Sequence, residues 1–253
     1  MATLNLLTKF SIAMTATTAL GFFASSASAL TLTDTSANWS NTVGGSNVIY
    51  QTVGTEKQVR WGQDIGNGQS GLGFLGATSV TFNPDQVFQI GTLKHYNNAI
   101  AGGSAASQVD FDLALNFSNP SVSTQPFKFS FGIDETPNSG NVNDCPYYST
   151  AVCSDKISFS TLPNLNTFNV AGVDYTLQLL GFSETPNGTP TNYFISQEGG
   201  TSLANLYAKI TVATPSTQSV PEPSSGLSIF AFGVLAAGSM LNRKQRLKAI
   251  AKV

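Results

Sequence analysis

The chain is short of charge. Only 10% of its 253 residues are Asp, Glu, Lys or Arg, against about 25% in an average soluble domain. Basic residues are scarcest in the body. Residues 30–220 hold six of them and thirteen acidic ones, a net charge of −7. Phosphate contacts need clustered Lys and Arg, so a nucleic-acid partner is excluded for this body. Histidine occurs once and cysteine twice. That is too few for a zinc site built on cysteines and histidines, and no metal or cofactor is expected. No G-x-S-x-G elbow marks a hydrolase nucleophile. No stretch of the body keeps a capped 3.6-residue apolar period, which excludes a helical architecture.

What the body has instead is alternation. Val109, Phe111, Leu113, Leu115 and Phe117 fall on one face of an extended segment, and Asp110, Asp112, Ala114 and Asn116 fall on the other. PFKFSFGI repeats the pattern with Phe127, Phe129, Phe131 and Ile133. The turn formers SNPSVSTQ separate the two, so they predict an antiparallel pair with one buried face. Further strands are expected at 48–53, 58–61, 79–82, 87–96, 156–160 and 206–213, with a tight hairpin turning at Ala171-Gly172 inside 168–182. Many short strands between turn clusters predict an all-β fold, an antiparallel β-sandwich of jelly-roll or immunoglobulin-like type.

Both ends differ from this body. Lys9 is the only charge in the first 33 residues, and FSIAMTATTALGFFA follows it. The apolar run ends at SSASA, where Ala27 and Ala29 stand at the two positions a signal peptidase reads. Residues 1–29 are therefore expected to be a helical signal peptide, cleaved after Ala29. Beyond a body of 30–214, residues 215–225 are a Pro/Ser linker carrying Pro221, Glu222 and Pro223. The charge-free residues 223–242 would span ~30 Å as a helix at ~1.5 Å per residue, one hydrocarbon thickness. Arg243, Lys244 and Arg246 follow, so residues 226–253 are expected to be a transmembrane helix with a basic cytoplasmic end and the body outside.

Cys145 and Cys153 lie in CPYYSTAVC. Export makes a disulfide the expectation, with a metal pair or two free thiols as the alternatives. The nine-residue loop would then contribute roughly 2.5 kcal/mol in the chain-entropy model.

Pro-Glu-Pro, an uncharged span and a basic end, in that order over the last 33 residues, resemble the PEP-CTERM sorting signal. The resemblance implies an exosortase substrate, processed at the membrane of a Gram-negative-type bacterium and delivered to the cell surface or the extracellular polysaccharide matrix. It implies no catalytic residue of the chain's own. QVRWGQDIGNGQSGLGFLG, FQIGTLKHYNNAI and CPYYSTAVCSDKISF are similar to the THxN family of PEP-CTERM proteins. That family's Thr-His-any-Asn signature falls on Lys94, His95, Tyr96 and Asn97, with Lys94 in place of the threonine.

Three further readings attach to particular residues. His95, at a strand end entering a polar turn, is expected to hydrogen-bond local backbone, with ligand binding or a general-base role as the alternatives. Asp110 and Asp112 are a candidate half of a glycan hydrolase or calcium site, against the plainer reading of a solvated strand face. Trp39, Trp61, Tyr96, Tyr147, Tyr148 and Tyr193 are candidates for stacking on sugars, against a core role for the two tryptophans. The expected function is thus a non-enzymatic surface or matrix protein; a carbohydrate-binding module and a carboxylate-dependent hydrolase are the alternatives.

Overall fold

The two-residue apolar period builds thirteen strands. The computed structural model describes residues 28–139, 141–159 and 166–213. The strands are β1 (Leu30–Gly44), β2 (Ile49–Val53), β3 (Glu56–Trp61), β4 (Ser70–Gly76), β5 (Thr78–Phe82), β6 (Val87–Asn97), β7 (Ala106–Asn119), β8 (Gln125–Asp134), β9 (Asp155–Phe159), β10 (Asn166–Val170), β11 (Val173–Ser183), β12 (Tyr193–Ser196) and β13 (Gly200–Val212). They form two sheets, and every pairing between them is antiparallel. One sheet runs β12-β9-β8-β7-β1-β5, the other β10-β11-β13-β6-β4-β3-β2.

The predicted pair is β7 and β8, with Phe111 opposite Phe129 and Val109 opposite Phe131. All five apolar residues predicted for the inner face of β7 are buried, as are the four of β8. Their rings meet the second sheet directly. Phe111 packs edge-on against Phe74 of β4 at 4.9 Å, and Phe131 lies 5.7 Å from Phe182 of β11. Phe127 and Phe117 both reach Phe168 of β10. The two sheets therefore share one hydrophobic core. Trp39 and Trp61 belong to it, which gives the core reading of both tryptophans. The hairpin turns where predicted: Val170 pairs with Val173, and Ala171 and Gly172 both have positive φ, as a two-residue type I′ turn requires.

Three strands were not expected. β1 is central in its sheet, between β7 and β5, yet its alternation is broken. Leu30 and Leu32 are buried, then Thr35, Ala37 and Trp39, because register shifts flank Leu32 and change the phase. β4 carries Gly71, Gly73 and Gly76, which read as loop residues. β12 is only four residues long.

Cys145 and Cys153 are joined by a disulfide, with Cα atoms 5.1 Å apart. No helix among the described residues is long and apolar enough to cross a membrane. The expected signal helix with Ala27, and the expected span with Pro221, Glu222, Pro223, Arg243, Lys244 and Arg246, lie outside the described residues. Ala29 is described and stands one residue before β1.

Candidate functional site

The strand period divides KHYN in two. On β6, Lys94 and Tyr96 face outward, while His95 and Asn97 face inward and are fully buried. The two faces carry different chemistry.

On the outer face, Lys94 donates to Glu56 Oε2 at 2.6 Å, and the Tyr96 hydroxyl donates to Glu56 Oε1. Gln58 Nε2 donates to both Glu56 Oε1 and the Tyr96 oxygen at 2.9 Å. The Arg60 guanidinium lies 4.0 Å over the Tyr96 ring. Glu56 and Gln58 are on β3, while Lys94 and Tyr96 are on β6. They meet across β4 because Gly73 has no side chain there: a Cβ on it would sit 2.0 Å from Glu56 Oε1. Burial pushes the Glu56 carboxyl up, but Lys94, Tyr96 and Gln58 together outweigh it and hold the group below its ordinary value. Burial, and then the Glu56 charge, push Tyr96 up to about 12. Glu56, Gln58, Lys94 and Tyr96 are all paired within the cluster, which ties β3 to β6 across β4.

The inner face has no such balance. It looks onto the end of the sheets where β6 (His95, Asn97), the start of β9 (Asp155), the residue after β8 (Glu135) and the β12–β13 connection (Glu198) converge. One ligand-type atom from each of His95, Glu135 and Asp155 lies within 4.8 Å of the others. Trp61 stacks beside the imidazole, with ring centroids 6.3 Å apart. Asp155 Oδ1 accepts from the Thr136 backbone N–H at 2.7 Å and from its hydroxyl at 3.1 Å. Asn97 Nδ2 donates to the Ser196 carbonyl at 2.9 Å. Ser70 Oγ bridges the Asn98 carbonyl at 2.8 Å and Glu135 Oε1 at 3.4 Å. The remaining polar atoms have no partner in the protein. They include both ring nitrogens of His95, Asn97 Oδ1, Asp155 Oδ2, Glu135 Oε2 and both carboxylate oxygens of Glu198, together with Trp61 Nε1 and the Ser154 and Ser196 hydroxyl oxygens.

Such burial costs the charged forms. It pushes Glu135 up to about 8, with the Asp155 and Glu198 charges adding to the shift. Burial raises Asp155 to about 6 against the two Thr136 bonds, and Glu198 to about 7 with help from Asp155. It lowers His95 to about 3, assisted by the Arg60 charge. His95 thus corrects the sequence expectation. It does not bond local backbone at a turn; it is a neutral imidazole on a strand interior, facing acids from the other sheet.

Asp110 and Asp112 are placed elsewhere. Lys128 reaches Asp112 Oδ1 at 2.6 Å and Asp110 Oδ2 at 3.4 Å. Ser130 and Ser40 hydroxyls donate to Asp110 and Asp112 at 2.5 Å, and Asn41 donates to Asp110 at 2.9 Å. Burial raises the Asp110 carboxyl, but Ser130, Asn41 and Lys128 hold it below its ordinary value. A glycosidase acid needs the opposite shift. Asp64, in DIGNGQSG, spends one oxygen on the backbone N–H groups of Gly66 and Gly68, which closes its own loop. Among the candidate aromatics, Tyr148 is 79% exposed and Tyr193 is 46% exposed, while Tyr147 and Tyr96 are half-buried.

No protein-family model matches the chain, and a search of curated proteins finds no match either.

Proposed function

We propose that the chain is the precursor of an exported surface or matrix protein of the PEP-CTERM THxN type. Its body is a β-sandwich, jelly-roll or immunoglobulin-like, that acts without turnover. The observation that carries this reading is the order of three parts at the C-terminal end: Pro221-Glu222-Pro223, a charge-free stretch, and a basic end with Arg243, Lys244 and Arg246. An extracytoplasmic processing enzyme of the exosortase type would meet the Pro-Glu-Pro just outside the bilayer, with the basic end retained in the cytoplasm. A disulfide in the body suits export, since such bonds persist in oxidising compartments. Signal peptidase cleavage after Ala29 would leave β1 whole. Intact mass of the protein recovered from a host that makes exosortase tests the reading. Loss of roughly 3 kDa from the C-terminal end, besides the signal segment, is expected. Recovery of the full tail in the membrane fraction would reduce the segment to a permanent anchor.

One observation favours carbohydrate binding as the second reading. The disulfide-closed loop Cys145–Cys153 presents Tyr148 to solvent beside an open groove of about 470 Å³, also lined by Thr150, Glu184 and Gln197. Gln197 anchors the loop, donating to the Tyr148 carbonyl at 3.1 Å and accepting from the Thr150 N–H at 3.0 Å. An exposed ring on an anchored loop, next to amide and carboxylate groups, is what sugar stacking uses. On a glycan array, binding that Tyr148→Ala abolishes is the expected signature. An array without any positive would remove this second reading.

A further inference from the structure

We propose that His95, Glu135 and Asp155, with Asn97 and Glu198 at their margin, bind one divalent transition-metal cation of the zinc or manganese class between the two sheets. The site is independent of the sorting reading, since it uses only residues of the folded body.

Geometry is the first ground. The ligand-type atoms of the three residues already lie within 4.8 Å of one another. Around a four-coordinate cation with bonds of about 2.0–2.2 Å they would stand roughly 3.3–3.6 Å apart. Modest side-chain rotations close that difference. The second ground is what the fold leaves unmade. His95, Asn97 and Asp155 are each 0% exposed, yet both imidazole nitrogens, Asn97 Oδ1 and Asp155 Oδ2 lack any partner in the protein. Buried polar atoms are nearly always paired, and a group of them around one point needs a shared explanation. A cation supplies it with a single particle, taking the lone pairs of one imidazole nitrogen and of the amide and carboxylate oxygens, while the other ring nitrogen of the neutral imidazole keeps its proton.

The third ground is the mounting. Asp155 is fixed through its other oxygen by Thr136, and Asn97 through its amide nitrogen by the Ser196 carbonyl. Each leaves its free oxygen available, as oriented metal ligands do. No ion pair involves Glu135, Asp155 or Glu198 among the described residues. Lys and Arg therefore do not compensate these three acids. An entrance exists as well: Glu135 also lines an open cavity of about 410 Å³ with Ile100, Gly102, Thr136, Pro137 and Asn138. The donor set decides the class. One imidazole with carboxylate and amide oxygens suits borderline cations, whereas calcium takes oxygens alone. Because His95 and Asn97 come from one sheet and Glu135 and Asp155 from the other, the cation would clamp the sheets at this end.

The test uses the full chain without a histidine tag, purified in mild detergent, stripped with chelator and desalted. Zn²⁺ and Mn²⁺ are then added separately. One equivalent per chain of at least one of the two metals is expected to stay bound. At about 100 times its Kd that metal is expected to raise Tm by roughly 5–10 °C. Glu135→Gln and Asp155→Asn should each weaken binding at least about tenfold. Asp112→Asn, which alters a carboxylate paired with Lys128 on the other side of the β7–β8 pair, should leave it unchanged. One measurement needs no variant. His95 is the only histidine, so its ring resonances are unambiguous, and Mn²⁺ should broaden them selectively below one equivalent. A folded wild-type chain that retains neither metal overturns the proposal. So does binding that leaves the His95 resonances untouched, or binding that both carboxylate variants preserve.

Discussion

Phe131→Ala is expected to cost the body about 3–5 kcal/mol, the range for truncating a buried phenylalanine. Phe131 is 0% exposed and stands where the two sheets meet. Its ring lies 5.1 Å from Phe111, 5.2 Å from Phe159, 5.9 Å from Trp39 and 5.7 Å from Phe182. The first three belong to its own sheet and the last to the opposite one. Truncation therefore opens a void bordered by four rings, and these cannot all move inward because each is held by its own strand. A domain of this size has a total stability of roughly 5–15 kcal/mol, so the loss is a large fraction of it. Urea denaturation followed by tryptophan fluorescence measures the change directly, since Trp39 borders the void. Phe131→Leu fills most of the space and is expected to cost less than half as much. Val53→Ala, on the exposed edge strand β2, should change stability by no more than about 0.5 kcal/mol. A loss below about 1 kcal/mol for Phe131→Ala would mean that the sheets are not joined through this ring.

Phe131 also marks how far the sequence could be read. Its strand, its inward face and its antiparallel neighbour were all legible, because alternation with period two is a local signal. The partner Phe182 was not, because which strand crosses to the other sheet is a property of the whole chain. β1 was hidden for a different reason: its register shifts change the inward phase between Leu32 and Thr35, so no single alternation runs through it. β4 was hidden because Gly71, Gly73 and Gly76 serve neighbouring strands, not its own packing. The inner cluster was the least legible. His95, Glu135 and Asp155 are 40 and 20 positions apart and belong to no spacing motif. Glu135 opens an ETPN string whose second copy, at Glu184, follows a strand in the other sheet and is simply exposed. Identical local sequence thus differs in burial, Glu135 half-buried and Glu184 exposed. The one usable signal was the cysteine pair between β8 and β9. Closing Cys145 to Cys153 shortens the connection that carries Glu135 at one end and Asp155 at the other.

Lys94→Met is the second large effect, and it tests the outer face. Removing the ammonium leaves the Glu56 carboxylate, 7% exposed at its side chain, facing only Tyr96 and Gln58. Breaking a fully buried pair by removing one partner costs about 3–5 kcal/mol. The Lys94 side chain is 24% exposed and water screens part of the interaction, so about 2–3 kcal/mol is expected at neutral pH. The pH dependence has a definite sign. The Glu56 carboxyl is held below its ordinary value of 4.5 in the fold. Its contribution is thus complete above pH 4.5 and is lost as pH falls through the lowered folded value. The deficit of Lys94→Met relative to wild type should therefore be constant at neutral pH and shrink in acid, as the Glu56 carboxyl takes up its proton first in the variant and then in wild type. Glu56→Gln separates this coupling from the loss of lysine methylenes. Once Glu56 is neutral, Lys94→Met should cost at least about 1 kcal/mol less, and the double-mutant cycle gives the pair energy. A deficit that neither Glu56→Gln nor acid reduces would assign Lys94 to packing alone. The lysine at the threonine position of the Thr-His-any-Asn pattern would then have no electrostatic role, and the link across Gly73 from β6 to β3 would rest on Tyr96 alone.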